Sequence, residues 1–399
     1  MSHSHDLPPP QAEKFDPKHA GALPKIFLGV GVAGFAVSLM GLLFSRQQFA
    51  FSWLFAFSYF FTISLGCMFW TCLHHATDSD WSVVVRRQLE NLASLIPYFA
   101  VFFIPIFLSL GILYKWWNIT ELGEDKLLDL KRGYLNHPFF YIRAVSYFVV
   151  LSLISTALKR RSIAQDKDGS VQHSLMMRKL GVAGIPAVAL GITFTGVDWL
   201  MGLDHHWFST MWGVYLFAGA AGSSMSLLVI IITLLKRLGY LKVVNLEHYH
   251  TMGKYMLAFT IFWAYIGYSQ YMLIWYANIP EETIYFKLRN TGTWWYFSTF
   301  LVIGRFFLPL PVLLMQATKK APQYLSLVAA WILCMQLVDI YVVVMPVLNK
   351  AGWAFSIFDL SALAAIGGTL GWLYLRNLST GYIFPTRDPR LAASLKLTN

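Results

Sequence analysis

The chain has 399 residues, 57% of them hydrophobic and 13% charged, with a mean hydropathy of +0.53. A soluble domain carries charge on about a quarter of its residues, so this composition excludes an ordinary water-facing surface. Long apolar blocks point instead to a multi-pass membrane protein. The formal net charge of +11 does not indicate nucleic acid, because the basic residues lie mostly in short connections between apolar blocks, where topology accounts for them.

Residues 1–25 form a polar tail with Pro8-Pro9-Pro10 and several histidines. The tail lacks the charged-then-apolar order of a cleavable signal. Ten transmembrane helices are predicted across 26–378: Ile26–Phe44, Phe51–Leu73, Pro97–Tyr114, Phe139–Leu158, Leu180–Leu200, Trp212–Leu235, Tyr255–Tyr276, Trp295–Met315, Leu325–Met345 and Phe355–Leu375. Each is close to the ~20 residues that cross a ~30 Å hydrocarbon core. The connections and tails on the side of the termini hold 21 Lys and Arg, against 8 on the other side. The positive-inside bias therefore places both tails, 1–25 and 379–399, in the cytoplasm.

Between the second and third spans, apolar residues recur at Trp81, Val85, Leu89, Leu92 and Ile96. Spacings of three and four make one helical face. Segment 81–96 is thus expected to be an interfacial helix, lying on the membrane surface or docked on a partner, before Pro97 opens span three. The periplasmic connection 115–138 has room for a short helix and for covering a neighbouring subunit. Trp116-Trp117 and Trp294-Trp295 read as interfacial anchors. Cys67, Cys72 and Cys334 form no CxxC pair and lie within apolar blocks, as packing residues do. No alignment of the two halves is evident by eye.

Ionisable residues at membrane depth cost ~2.5–3.5 kcal/mol at a central position and are usually paired or line a water-filled path. Arg305 sits mid-span in FLVIGRFFLPLP, where it either bonds carbonyls freed by Pro309 and Pro311 or pairs with an aspartate. Asp198, Asp339 and Asp359 all lie on the outer side of the membrane centre. Each is either a proton acceptor facing the outer compartment, or a helix-end acid or counter-ion of Arg143 or Arg305. Span seven carries Tyr265, Tyr268, Ser269, Gln270 and Tyr271, which suit a hydrogen-bonded water chain or a polar ligand head as well as ordinary packing. None of the eleven histidines is mid-span, which disfavours a haem held between helices. A zinc site from Asp204, His205 and His206 is disfavoured too, because adjacent histidines seldom both ligate one ion. The chain is therefore expected to hold no metal centre. Two broader classes also fit ten spans with intramembrane charge: a stand-alone secondary transporter, and a structural anchor for soluble redox subunits.

Four segments carry a resemblance: GVDWLMGLDHHWFSTMWGVY (196–215), LHHATDSDWSVVVRRQLE (73–90), YLNHPFFYIRA (134–144) and FWAYIGYSQYMLIWYANIPEETIYF (262–286). Together they resemble the F subunits of bacterial alternative complex III, a quinol:cytochrome c oxidoreductase. These are membrane subunits of the polysulfide-reductase (NrfD-like) type. The resemblance runs over nearly the whole chain. It implies an all-α fold of two NrfD-like four-helix bundles, spans 2–5 and 6–9, with two flanking helices. It implies residence in the bacterial inner membrane. The implied partners are a larger NrfD-like membrane subunit, an iron–sulfur subunit, a multihaem cytochrome c subunit and small anchor subunits. Haems and iron–sulfur clusters would sit on those partners, and menaquinone or ubiquinone would be the candidate ligand. In the shared motif stand Asp198, Asp204, His206, Trp207, Ser209 and Thr210, with Asp198 as the buried outer-side carboxylate, the kind of acid that in the larger sister subunit can take a quinol proton. His205 departs from the usual pattern.

Overall fold

The computed structural model describes residues 12–398, so the first part of the N-terminal tail, with Pro8-Pro9-Pro10, lies outside the described residues. Among the described residues, ten helices are long and apolar enough to cross a membrane: Leu23–Phe44, Arg46–Ala76, Val83–Phe107, His137–Asp168, Val171–Leu203, Trp212–Arg237, Leu246–Ala277, Trp294–Leu314, Pro322–Leu348 and Ile357–Leu378. They are called spans one to ten. The fold is all-helical, and the β-pairing among the described residues is an isolated bridge between Lys14 and Tyr382. That bridge, with the Ile383 N–H donating to the Glu13 carbonyl at 3.0 Å, brings the two chain ends to one end of the bundle. We call it the terminal end, and the opposite one the loop end.

Span two is the axis of the molecule, buried along most of its length. It crosses span six at backbone contact, where a Cβ on Gly66 would stand 2.1 Å from the Ala220 carbonyl oxygen. Spans one and ten pack on each other in the same way. A Cβ on Gly34 would come within 2.3 Å of the Ala365 nitrogen, and the Ser38 and Ser361 hydroxyls meet at 2.8 Å. Small residues let helices approach in lipid, where dispersion and hydrogen bonding replace the hydrophobic drive. Both helices of the pair also touch span two, span ten more extensively.

The segment expected to lie on the membrane surface or dock on a partner is covered by this chain's own residues. Every residue of the helix Val83–Ala93 is buried, including Arg86, Arg87, Gln88 and Glu90. The apolar stripe packs inward as the period requires, but the polar face is covered by the chain beyond span ten. Arg86 bridges Glu90 at 2.9 Å and Asp388 at 2.8 Å, and Arg87 bridges Glu90 at 3.1 Å and Asp166 at 2.8 Å. Gln88 donates to the Ile383 carbonyl at 2.7 Å, and the Tyr374 hydroxyl donates to Gln88 at 2.6 Å. Segment 379–398 thus acts as a strap across this helix. Beyond Val83–Ala93, span three runs on as short turns, Ile96–Tyr98, Phe99–Phe102 and Ile104–Phe107, followed by Leu110–Leu113, so the expected span Pro97–Tyr114 is broken around Pro97 and Pro105 and starts earlier, at Val83.

The tryptophan pairs divide. Trp116 and Trp294 are buried, the Trp294 indole N–H donating to the Asn349 carbonyl at 2.8 Å, while Trp295 is half-exposed. Of the cysteines, Cys67 and Cys72 are buried packing residues, but Cys334 is exposed on the outer flank of span nine.

Candidate functional site

Two buried Arg–Asp pairs organise the interior. In the first, Arg143 of span four presents Nε and Nη2 to the two carboxylate oxygens of Asp198, each at 2.9 Å. The Tyr147 hydroxyl donates to Asp198 at 2.7 Å, and the guanidinium lies between the Tyr134 and Phe139 rings at 3.8 and 4.4 Å. In the second, Arg305 of span eight donates to Asp339 of span nine at 2.7 Å and also to Gln336. Trp263 Nε1 donates to Asp339 at 3.1 Å, and Tyr215 gives it a further O–H bond. The forked, hydrogen-bonded geometry is what makes a buried pair tolerable. Of the alternatives open in the sequence, Asp198 and Asp339 are counter-ions of Arg143 and Arg305. Arg305 binds side chains, not the carbonyls near Pro309 and Pro311.

Each pair has one member on a π-helical turn. Asp198 lies in Gly196–Leu200 and Arg305 in Ile303–Phe307. A π turn widens the helix and leaves a carbonyl without its usual partner, and such turns concentrate at functional positions. An indole N–H bonds a carbonyl of each turn: Trp212 bonds Gly196 O, which also accepts the Met201 N–H, at 3.0 Å, and Trp331 bonds Gly304 O at 2.6 Å.

Asp359 differs. It accepts from Ser52 at 2.5 Å, Gln48 at 3.1 Å and Tyr341 at 3.3 Å, partners that are neutral. It is therefore not a counter-ion of Arg143 or Arg305.

The second pair borders a large space. A cavity of about 730 Å³ opens between spans seven and eight in the loop-end half. Asp339, Tyr215 and Trp263 stand at its inner end, Gln270 and Tyr285 on its walls, and Tyr265, Tyr268 and Tyr271 around its mouth. The three tyrosines face outward, with Tyr265 63% and Tyr268 65% exposed, so they do not form an internal hydroxyl chain. A small space of about 10 Å³ lined by Gly196, Trp199 and Phe61 lies on the π turn that carries Asp198, but the Asp198 side chain does not line it.

Sequence reasoning missed Arg289. It ends the helix Pro280–Arg289, is buried, and lines the cavity. Its guanidinium donates to the carbonyls of Tyr285 at 3.0 Å, Val342 at 2.9 Å and Val343 at 2.5 Å, and lies 3.5 Å from the Tyr285 ring centroid. Burial pushes its pKa down, yet an arginine remains charged throughout the physiological range. The same burial pushes the Tyr285 hydroxyl up to about 12.

The motif 196–215 spans both regions. Ser209 donates to Gln270 at 2.7 Å, and Trp207 stacks on Tyr285 at 4.1 Å between centroids, so the motif forms one side of the cavity wall. Thr210 is exposed. Asp204 accepts the His206 backbone N–H at 3.3 Å. His205 and His206 turn away from Asp204 to a third residue, Asp125, in the long connection. That connection carries the short helix Lys126–Lys131.

No known family model matches the chain and no curated protein matches it.

Proposed function

We propose that this chain is a membrane subunit of a quinol:electron-acceptor oxidoreductase of the alternative complex III type, and that it holds a quinone or quinol ring in the cavity between spans seven and eight. The observation that carries the reading is the cavity itself. Its volume lies within the ~300–1,000 Å³ range of small-molecule sites, its walls are aromatic, and it ends on a hydrogen-bonded carboxylate. Its exposed mouth, rimmed by Tyr265, Tyr268 and Phe307, faces where acyl chains would lie, as an isoprenoid tail requires. The motif resemblance supplies the complex, the bacterial inner membrane and the larger membrane, iron–sulfur, multihaem and anchor partners.

A ligand ring would stack among Trp263, Tyr285 and Phe306. Among the described residues the Arg289 guanidinium bonds backbone carbonyls rather than a carboxylate, and a carbonyl or oxyanion oxygen of a ligand suits it. Asp339 offers an acceptor to a ligand hydroxyl. Quinol oxidation releases two protons and two electrons; the electrons pass to metal centres on partner subunits. In this reading the loop end faces the periplasm, and the buried Asp339 is the acid nearest the ring.

The test is photolabelling of the purified complex with an azido-quinone, followed by peptide mapping. Label on spans seven and eight, lost with excess unlabelled quinone, is expected. Label absent from both spans, or purification of the chain with no haem-bearing partner, overturns the proposal.

A further inference from the structure

We propose that Asp125, His205 and His206 form a binding site for a zinc-like divalent transition-metal cation, which staples the long connection 115–136 to the loop 201–211. The site is independent of the cavity and of any quinone role.

The donor atoms already converge. His205 Nε2 lies 2.8 Å, and His206 Nε2 2.7 Å, from the same carboxylate oxygen, Oδ2 of Asp125. One donor atom from each of the three residues lies within 4.8 Å of the others. A tetrahedral zinc ion with bonds of ~2.0–2.1 Å separates its ligand atoms by roughly 3.3 Å. The cluster therefore needs to widen by about 0.5 Å as the ion replaces the imidazole protons directed at Oδ2.

Adjacent histidines are usually poor co-ligands because consecutive side chains diverge. Here the backbone is irregular and held in place. The Lys131 ammonium donates to the His205 carbonyl at 2.6 Å and to the His206 carbonyl at 3.5 Å. The rings, 4.3 Å apart between centroids and inclined at 61°, aim at a common point. Asp125 is oriented too, because its other oxygen, Oδ1, accepts the Leu127 and Leu128 backbone N–H groups at 3.0 and 3.1 Å. Such outer contacts are what fix a ligating carboxylate and leave one oxygen for the metal.

The chemistry selects the ion. Two imidazoles and one carboxylate suit zinc, cobalt, nickel or copper, whereas calcium and magnesium prefer all-oxygen sets. The His205 ring is buried but the His206 side chain is 41% exposed, so an ion has a route from water and an open coordination position.

The experiment uses the full-length protein in detergent, stripped with chelator, and measures zinc binding by calorimetry and retained zinc by elemental analysis. His206→Gln is the main variant, since its half-exposed side chain is replaceable without disturbing the fold. Asp125→Asn is the second, with cobalt absorption as an independent readout. Comparison with the variants removes any contribution from His3 and His5 in the tail. The wild type should bind one more zinc per chain than either variant, with affinity for this site reduced about tenfold or more in each. Cobalt should give visible bands of tetrahedral type in the wild type only, and excess magnesium or calcium should not compete. Equal zinc binding by wild type and His206→Gln, or no zinc retained by the wild type, overturns the proposal.

Discussion

A guanidinium and a carboxylate are stable together in an apolar interior, and costly apart. Arg305 and Asp339 are 4% and 2% exposed and share their hydrogen bonds with Gln336, Trp263 and Tyr215. Removing one member leaves a buried charge without its partner, which costs about 3–5 kcal/mol in comparable pairs. Arg305→Gln and Asp339→Asn should each lower the melting temperature of the detergent-solubilised protein sharply. The double variant should recover part of the loss, giving a large coupling in a double-mutant cycle. Arg305→Lys should not restore the parent, because an ammonium lacks the planar fork that reaches Asp339 and Gln336 together. Additive single losses would mean that the two groups do not stabilise each other. The residue types at this site were legible from hydropathy, since charge within an apolar block stands out. Their partners were not. Arg143 and Asp198 are 55 positions apart and Arg305 and Asp339 are 34 apart, and no local pattern states which acid meets which base. Arg289 and Asp125 escaped notice because both lie in connections, where a charged residue looks ordinary.

At the scale of elements, Val83–Ala93 shows why periodicity stops short of placement. A stripe of apolar residues fits a surface helix and a buried one equally well. What decides is whether something covers the polar face, and here that is the strap 379–398, nearly three hundred residues later. The contact between Arg86 and Asp388 gives it a pH dependence. Against the desolvation that would raise it, the Arg86 and Arg390 guanidiniums hold the Asp388 carboxyl well below its usual 3.8. A depressed folded-state pKa contributes stability that is present above the unfolded value and lost as pH falls below it. The strap should therefore stay protease-resistant at pH 5 and above, and become cleavable as pH falls below about 3.8, the ordinary value for the unfolded carboxyl. Asp388→Asn should make it cleavable at neutral pH. A tail equally resistant in the variant would show that backbone contacts such as Gln88 to Ile383 suffice. The helix pair of spans one and ten has a sharper signature. Gly34→Leu forces a side chain into the Ala365 backbone and should separate the pair, read as a lower melting temperature without loss of the central spans' helicity.

Across the whole molecule, the ten predicted spans match ten apolar helices in number and order, because runs of about twenty apolar residues leave few other solutions, but the third is displaced, from Pro97–Tyr114 to Val83–Phe107. Internal correspondence emerged only in three dimensions. If spans two to five and six to nine are laid side by side, Arg143 and Arg305 fall on the third helix of each set, and Asp198 and Asp339 on the fourth. The same ion pair occurs twice, but Asp339 lines the cavity of about 730 Å³, whereas Asp198 does not. The motif carrying Asp198 drew attention in the sequence, but the cavity of about 730 Å³ borders the acid of the other set of helices. This asymmetry separates two roles that charge alone does not. Asp198→Asn and Asp339→Asn remove equivalent charges and should destabilise to a similar extent. A quinone analogue at a hundredfold excess over its Kd stabilises a protein that binds it by about 2.7 kcal/mol, a shift of several degrees in melting temperature. That shift should persist in Asp198→Asn and vanish, or need far more ligand, in Asp339→Asn. If the shift is instead lost in Asp198→Asn and kept in Asp339→Asn, the ring sits against the first pair after all, and helices two to five must open to admit it.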